Sequence, residues 1–284
     1  MDEFLKLLET ILRTFEVGQS PQSFLVLVGL AFARMLSFLA VVPFFGGAAV
    51  PARVKVATAT AFVIILYPSL EAGLPKDGAP LGFGPVGFMG LLVKEAFVGF
   101  TLGFVASLVF EAIQVAGRVI DFQRGSTLAE MFAPQLQTRV SELGQFKLQL
   151  AIVIFFMIGA HHAFIGSLLR SFEMIPAMGF PRLQTGWSPA AAFITQLTGG
   201  VLAVGIQLAA PAMIALLLTD LFFGLVNRVA PQINVFFLSL PVKMAVGLVV
   251  VLAALPLYRE RYIYYFKEAY RAFEAILRAI GGVG

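Results

Sequence analysis

Apolar residues run along this chain in six long blocks, near Phe24–Val42, Val54–Leu70, Val86–Ile113, Leu148–Leu169, Ala190–Leu218 and Val242–Leu257. A helix needs about 20 residues to cross a hydrocarbon core, so each block is expected to be a membrane span. Pro43, Pro51, Pro68, Pro75, Pro181 and Pro256 punctuate the block ends. Ahead of the blocks, Met1–Glu16 places Phe4, Leu8, Ile11 and Phe15 at helical spacing, which predicts an amphipathic helix with acidic excess that Pro21 breaks. This opening lacks the basic start, apolar middle and small-residue cleavage site of a signal peptide. After the last block, Tyr258–Ile280 sets Tyr262, Phe266, Ala269, Phe273, Ile276 and Ile280 along one side of a second amphipathic helix.

The longest polar interruption inside the apolar body is Gly117–Arg139, read GRVIDFQRGSTLAEMFAPQLQTR. It mixes Asp121, Gln123, Arg124, Glu130, Gln135, Gln137 and Arg139 with Gly125, Met131, Phe132 and Pro134. In a chain this apolar, such a segment demands a wet or protein-enclosed location.

Composition sharpens the class. Of 284 residues 59% are hydrophobic and 13% charged, with mean hydropathy +0.91. Soluble domains carry roughly 25% charged residues, so the chain reads as an all-α integral membrane protein. Cysteine is absent, which excludes disulfides, thiolate metal sites and cysteine nucleophiles. The two histidines, His161 and His162, are adjacent, and neighbours on a helix point about 100° apart, a poor chelating pair. No metal or cofactor is expected. The net charge of +4 is scattered along the chain, and no nucleic-acid partner is read from it.

The blocks carry charge where lipid would not welcome it: Arg34 in the first, Lys94 and Glu95 in the third, Glu111 near its end. A charge at mid-bilayer costs roughly 2.5–3.5 kcal/mol on insertion scales, so these residues either pair inside the bundle or face other subunits or a wet path. Loop charge gives no orientation. On a six-span reading, one side holds Lys6, Arg13, Lys76, Arg170, Arg182 and the tail's basic residues. The other holds Arg53, Lys55, Arg118, Arg124, Arg139, Lys147, Arg228 and Lys243. That balance is too even for the positive-inside rule. Gly99 and Gly103 have the small-xxx-small spacing that lets helix backbones approach closely.

Motifs of chemistry are absent. Gly82-Phe-Gly-Pro-Val-Gly87 matches G-x-G-x-x-G only formally, with no strand before it and Pro85 inside. Asp220 with Lys243, or Lys94 with Glu95, read as structural ion pairs rather than proton relays. There is no nucleophile with an accompanying base, and the expectation is a non-enzyme. A proton-coupled or small-solute transporter using Arg34, Lys94, Glu95 and Asp220 is the rival from another class, but no inverted repeat supports it.

Several stretches in series carry a resemblance. They are Arg34 leading to Pro43, Val50-Pro51-Ala52-Arg53-Val54-Lys55 and Tyr67-Pro68-Ser69-Leu70, then Glu95 with Gly99-x-x-x-Gly103. Next come Ala116-Gly117 through Ile120, Gln123-x-Gly125 and Ala133-Pro134, followed by Gly159-Ala160-His161 with Ser171-Phe172-x-x-Ile175-Pro176. The last is Leu225-x-Asn227-Arg228-x-Ala230-Pro231-Gln232 leading to Pro241. In this order the chain resembles the FliR family of flagellar export-gate proteins, which is similar to the SctT proteins of virulence type III secretion.

The resemblance implies an all-α membrane protein of long kinked helical hairpins that packs into a helical hetero-oligomeric export gate. FliP-like and FliQ-like subunits, an FlhB-like export apparatus protein, membrane lipid and unfolded flagellar export substrates are the implied partners. The implied location is the bacterial inner membrane at the flagellar basal body. The implied organisation is an N-terminal helix over 1–20, a gate body over 21–204, a FliQ-like helical hairpin over 205–257 and a tail over 258–284. A closure loop projecting into the pore maps to about Gly125–Thr138, with Gly125, Ser126, Thr127, Leu128, Met131, Phe132, Pro134 and Gln135 as its residues. Arg34, Arg53, Lys94, Glu95, Gly99, Gly103, Arg228 and Pro231 are expected to serve as structural charges and packing positions. A virulence injectisome gate is the closer alternative. The chain departs from the family at Arg124, where Met is frequent, and at Ala133, where Asp is frequent.

Overall fold

Local sequence accounts for where most helices begin and stop. The computed structural model describes residue 6 and residues 21–45, 47, 50–72, 84–126, 141–179 and 188–281. The expected N-terminal helix, apart from Lys6, lies outside these residues. The described helices are α1 (Pro21–Val41), α2 (Ala52–Ala72), α3 (Pro85–Arg124), α4 (Glu142–Met157), α5 (Ala160–Met174), α6 (Ser188–Val229), α7 (Val235–Ala253) and α8 (Leu255–Gly281). No strand occurs among them, and the protein is an all-α integral membrane protein.

Both α1 and α3 open on proline, whose missing N–H costs nothing in the first turn of a helix. Ser141 caps α4 through its hydroxyl, which accepts from the Gly144 amide, and Asn234 does the same for α7 through the Phe237 amide. α3 ends at Gly125, where φ is +80° and the Gly125 amide bonds the Phe122 carbonyl at 3.1 Å. That left-handed conformation suits glycine and few other residues.

The helices depart from the six expected spans in five places. The block at Val54–Leu70 is the helix α2, which is not among those long and apolar enough to span, and the block expected to close at Leu218 runs on in α6 to Val229. The block expected to close at Ile113 continues unbroken to Arg124, so the first third of the polar stretch Gly117–Arg139 is helix. The block at Leu148–Leu169 is two helices, α4 and α5, bent by 77° at Ile158–Gly159. Gly159 takes φ +71° there, and hydropathy does not register a backbone turn inside an apolar run. The last block is α7, Val235–Ala253, and a break at Ala254 separates it from α8.

Among the described residues, four helical stretches are long and apolar enough to span: Ser23–Val41, Pro85–Arg124, Ala190–Val229 and Val235–Ala253. The bent α4–α5 pair makes a fifth if it counts as one span. With 40 residues in α3 and 42 in α6, these helices reach about 60 Å at 1.5 Å per residue. That is about twice a hydrocarbon core of about 30 Å.

The chain divides into two units. The first comprises Met1–Ser107, His162–Ala192 and Arg271–Gly284. Its core joins α1, the start of α3, α5 and the end of α8 around Phe38, Phe164, Phe273 and Ile276. Phe38 and Phe164 each meet the Phe273 ring edge-on, at centroid distances of 6.3 and 5.4 Å. The second comprises Leu108–His161 and Phe193–Tyr270. There Phe110, Phe155 and Phe266 touch pairwise at 5.2–5.4 Å, contacts worth about 0.5–1.5 kcal/mol each beyond area burial. The apolar stripe expected on the tail is what α8 buries: Tyr262, Phe266, Phe273, Ile276 and Ile280 have almost no exposed surface. α6 and α7 instead leave Leu218, Phe222, Leu225, Phe236, Phe237, Val249 and Leu252 uncovered.

Candidate functional site

In the second unit, the two ends of the polar stretch meet at one carboxylate. Asp121 lies on the last full turn of α3 and is buried. Its Oδ2 accepts from the Ser141 hydroxyl at 2.6 Å and from the Leu143 amide at 2.9 Å. Ser141 therefore serves twice: its hydroxyl donates to Asp121 and its oxygen accepts from the Gly144 amide at 2.9 Å. A carboxylate placed here also suits the partial positive charge at the start of a helix. On the other side of the turn, Ser126 donates its hydroxyl to the Asp121 carbonyl at 2.8 Å. One residue thus bonds both the chain leaving α3 and the chain arriving at α4.

This geometry requires the two helices to touch. One turn before Asp121, Gly117 faces Gly144, and a Cβ on Gly117 would lie under 3.0 Å from the backbone of Leu143 and Gly144. Any larger residue at Gly117 would push α4 beyond the reach of Asp121. Arg124 supplies a third side to the root. Its Nη2 lies 3.5 Å from Asp121 Oδ1, and its aliphatic stem lies against Gly247 of α7, where a Cβ would come under 3.0 Å from Cγ and Cδ. Gln123 donates to the Met213 carbonyl of α6 at 3.3 Å. Lys147, fully buried on α4, donates to the Leu208 carbonyl at 3.4 Å and sits 3.9 Å over the Tyr258 ring. Burial pushes the Tyr258 phenol up to about 12 and also raises that of Tyr262, so both stay neutral.

Of the residues assigned to the closure loop, Gly125 and Ser126 form the exit turn just described. Thr127, Leu128, Met131, Phe132, Pro134 and Gln135 lie outside the described residues.

The charges inside the first unit form a second centre. Arg34 of α1 donates from Nε and Nη2 to the two oxygens of Glu95 on α3, at 2.5 and 2.8 Å. Its remaining donors reach Ser171 Oγ at 3.0 Å and the Ile175 carbonyl at 2.7 Å, while the Phe172 ring covers the guanidinium at 4.0 Å. Lys94 donates to the carbonyls of Pro176, Ala177 and Gly179 at 2.7–2.9 Å and pairs with Glu95 Oε1 at 2.6 Å. Two cations thus share one anion. The excess positive charge is met by the carbonyl end of α5, where the helix dipole is negative. Gly99 and Gly103 permit this, since a Cβ on Gly99 would lie under 3.0 Å from the Arg34 carbonyl, and one on Gly103 3.0 Å from that of Phe38.

The motif Ser171-Phe172-x-x-Ile175-Pro176 is therefore the socket for Arg34 and Lys94. Sequence spacing could not reveal this, because half of the socket is backbone carbonyl. Arg53, Arg228 and Pro231 lie exposed on the chain and join neither centre. Asp220 and Lys243 form an ion pair between α6 and α7. Residues that sequence reasoning did not single out as sites are Asp121, Ser141, Lys147 and Gly247. The one available signal was an Asp in the last turn before a Gly, followed by a Ser-Glu-Leu-Gly helix start. No group of His, Asp or Glu among the described residues is arranged to hold a metal ion.

Residues 25–269 match the family model described as bacterial export proteins, family 1. The flagellar biosynthetic protein FliR of Bacillus subtilis is 32% identical over 227 residues, 80% of this chain and 85% of that protein. Secretion system apparatus protein SsaT of Salmonella typhimurium is 28% identical over 261 residues, covering 87% of this chain and 93% of its own. Yop proteins translocation protein T of Yersinia pestis is 35% identical over 158 residues, 55% of this chain and 59% of that protein.

Proposed function

The chain belongs to the bacterial export proteins, family 1, the family of the FliR flagellar proteins, and we propose that it lines part of a flagellar protein-conducting gate and supplies the loop that closes it. At the coarser level it is a membrane-embedded component of a type III export apparatus. In the finer reading it has no catalytic role. Its partners are FliP-like, FliQ-like and FlhB-like proteins in the bacterial inner membrane at the flagellar basal body. Unfolded rod, hook and filament subunits pass through the gate, driven by an energy source outside this chain.

The observation that carries the loop assignment is the root at Asp121. The exit turn at Gly125–Ser126 and the helix start at Ser141 are bonded to one buried residue, Asp121, which supports reading the stretch between them as a loop with a common root. An irregular backbone at membrane depth is tolerated only where protein or water encloses it. Leu128, Met131 and Phe132 are apolar residues suited to sealing against neighbours, and Met adapts to irregular gaps. The uncovered apolar face of α6 and α7 is where FliQ-like partners would pack, in keeping with a partner-like hairpin over 205–257. The test is deletion of Ser126–Gln137 in the assembled gate. Cells carrying it leak small ions on this reading, and unchanged membrane conductance contradicts it.

An injectisome gate is the second reading, favoured by the match to SsaT over most of both chains. Substrate identity separates the two: flagellar subunits exported through a complemented null strain support the first, virulence effectors the second.

A further inference from the structure

We infer that the first unit carries a phospholipid site. The cavity between α1, α2 and α5 takes one acyl chain, and Arg170 and Glu173 at its edge take the phosphate and the ammonium of a zwitterionic, ethanolamine-type head group. The site does not depend on the gate reading above.

The cavity holds about 600 Å³ and is bounded by α1, α2, α5 and the chain that follows α5. Ligand pockets of about 300–1,000 Å³ are typically apolar, with a few polar groups that fix orientation. Leu27, Leu66, Phe172 and Ala177 form its buried wall. Gly166 keeps the space open: it lines the cavity, and no atom lies within 4 Å of the Cβ it lacks. An apolar void left empty forfeits the dispersion contacts of its lining. Water is a poor filler for it, needing roughly two to four polar partners. In a chain with several membrane-spanning helices, the apolar filler at hand is a lipid chain.

The edge of the cavity chooses the head group. Arg170 and Glu173 both line it and are exposed, three residues apart and so on one face of α5. Arg170 Nη1 lies 3.7 Å from the Glu274 carboxylate, too far for a hydrogen bond, so the guanidinium keeps donors for a phosphate. Glu173 offers its carboxylate to an ammonium. With Glu274 also present, the guanidinium is outnumbered by carboxylates. A purely anionic head group meets repulsion there, whereas a zwitterion is matched at both ends. The buried Lys94 does not alter this balance, because its ammonium is held by Glu95 and by the carbonyls of Pro176, Ala177 and Gly179.

The experiment uses the full chain in the complex with which it purifies, reconstituted in vesicles of equal phosphatidylethanolamine and phosphatidylglycerol. A trace of one lipid or the other carries a diazirine near the end of an acyl chain, and cross-linked peptides are read by mass spectrometry. The parent is expected to be labelled by the ethanolamine lipid on peptides containing Leu66 and Leu169, in excess over the exposed apolar face of α3 at Met89 and Val93. Gly166→Leu fills the cavity from a position with open space around its Cβ. It is expected to abolish the excess and leave both the α3 labelling and the thermal midpoint at parent values. Glu173→Gln is expected to lower the preference for ethanolamine over glycerol head groups about 1.5–5-fold, the effect of one exposed ion pair.

No excess in the parent overturns the inference, and is also the result a partner subunit seated in the cavity would give. An excess that survives Gly166→Leu overturns it too. Should Gly166→Leu fail to accumulate, Arg170→Gln decides: loss of the excess with unchanged α3 labelling supports the site, and parent labelling at both places overturns it. An excess indifferent to head group in the parent overturns the assignment of a zwitterion.

Discussion

Arg34 and Glu95, 61 residues apart in sequence, face each other as a fully buried bidentate pair, guanidinium to carboxylate at 2.5 and 2.8 Å. Removing one member of such a pair leaves an uncompensated charge in a low-dielectric interior, a loss of about 3–5 kcal/mol. Here Glu95 answers two cations, so Glu95→Ala strands both Arg34 and Lys94. The purified complex is expected to lose subunits or melt well below the parent, while ion leak through any surviving complex is unchanged. Parent thermal stability after Glu95→Ala would show that these charges face water.

Lys94→Met is expected to be milder. It removes the donor from three carbonyls at the end of α5, but Glu95 keeps Arg34. Unsatisfied buried groups cost about 1–3 kcal/mol. The thermal midpoint should therefore fall between that of the parent and that of Glu95→Ala, and the reverse order would contradict the assignment of Glu95 as the shared anion.

Gly99→Ala meets backbone, not a movable side chain, at the carbonyl of Arg34. Overpacking of this kind costs about 1–3 kcal/mol or more. Gly29 on α1 has nothing within 4 Å of a would-be Cβ, so Gly29→Ala is expected to be neutral or to gain up to about 1 kcal/mol from helix propensity. Melting the two variants side by side tests whether close approach or generic helix composition explains these glycines.

Gly247→Ala collides with Arg124 Cγ and Cδ. The unbranched thioether of Arg124→Met yields more easily, so the second change should recover part of the loss. A coupling energy of about 0.5–3 kcal/mol in the double-mutant cycle is expected for residues in contact. Strict additivity would mean that the Arg124 stem does not occupy the Gly247 slot.

Much of the architecture was legible in the sequence, for a physical reason. Long apolar runs in a chain with so few charges leave helices across a membrane as the economical arrangement, and the stripe from Tyr262 to Ile280 announced the buried face of α8. Hydropathy was blind where backbone geometry decides. The bend at Gly159 sits inside an apolar run, and α3 continues through polar residues because Asp121, Gln123 and Arg124 find partners on α4, α6 and α7. The buried charges were visible as anomalies but their partners were not. Lys94 is held largely by carbonyl oxygens that every residue possesses, and Arg34 by a glutamate and a serine far away in sequence. The departure at Arg124 looked isolated in one dimension, whereas in the fold it is matched by the missing side chain at Gly247.

The claim that this chain is one subunit of a protein-conducting gate is tested most directly by what purifies with it. A tag on the chain, expressed at native level and extracted in mild detergent, is expected to bring down FliP-like and FliQ-like subunits in fixed stoichiometry. Those partners would cover the apolar faces that α6 and α7 leave open. Recovery of a stable, monodisperse chain without them would contradict the account.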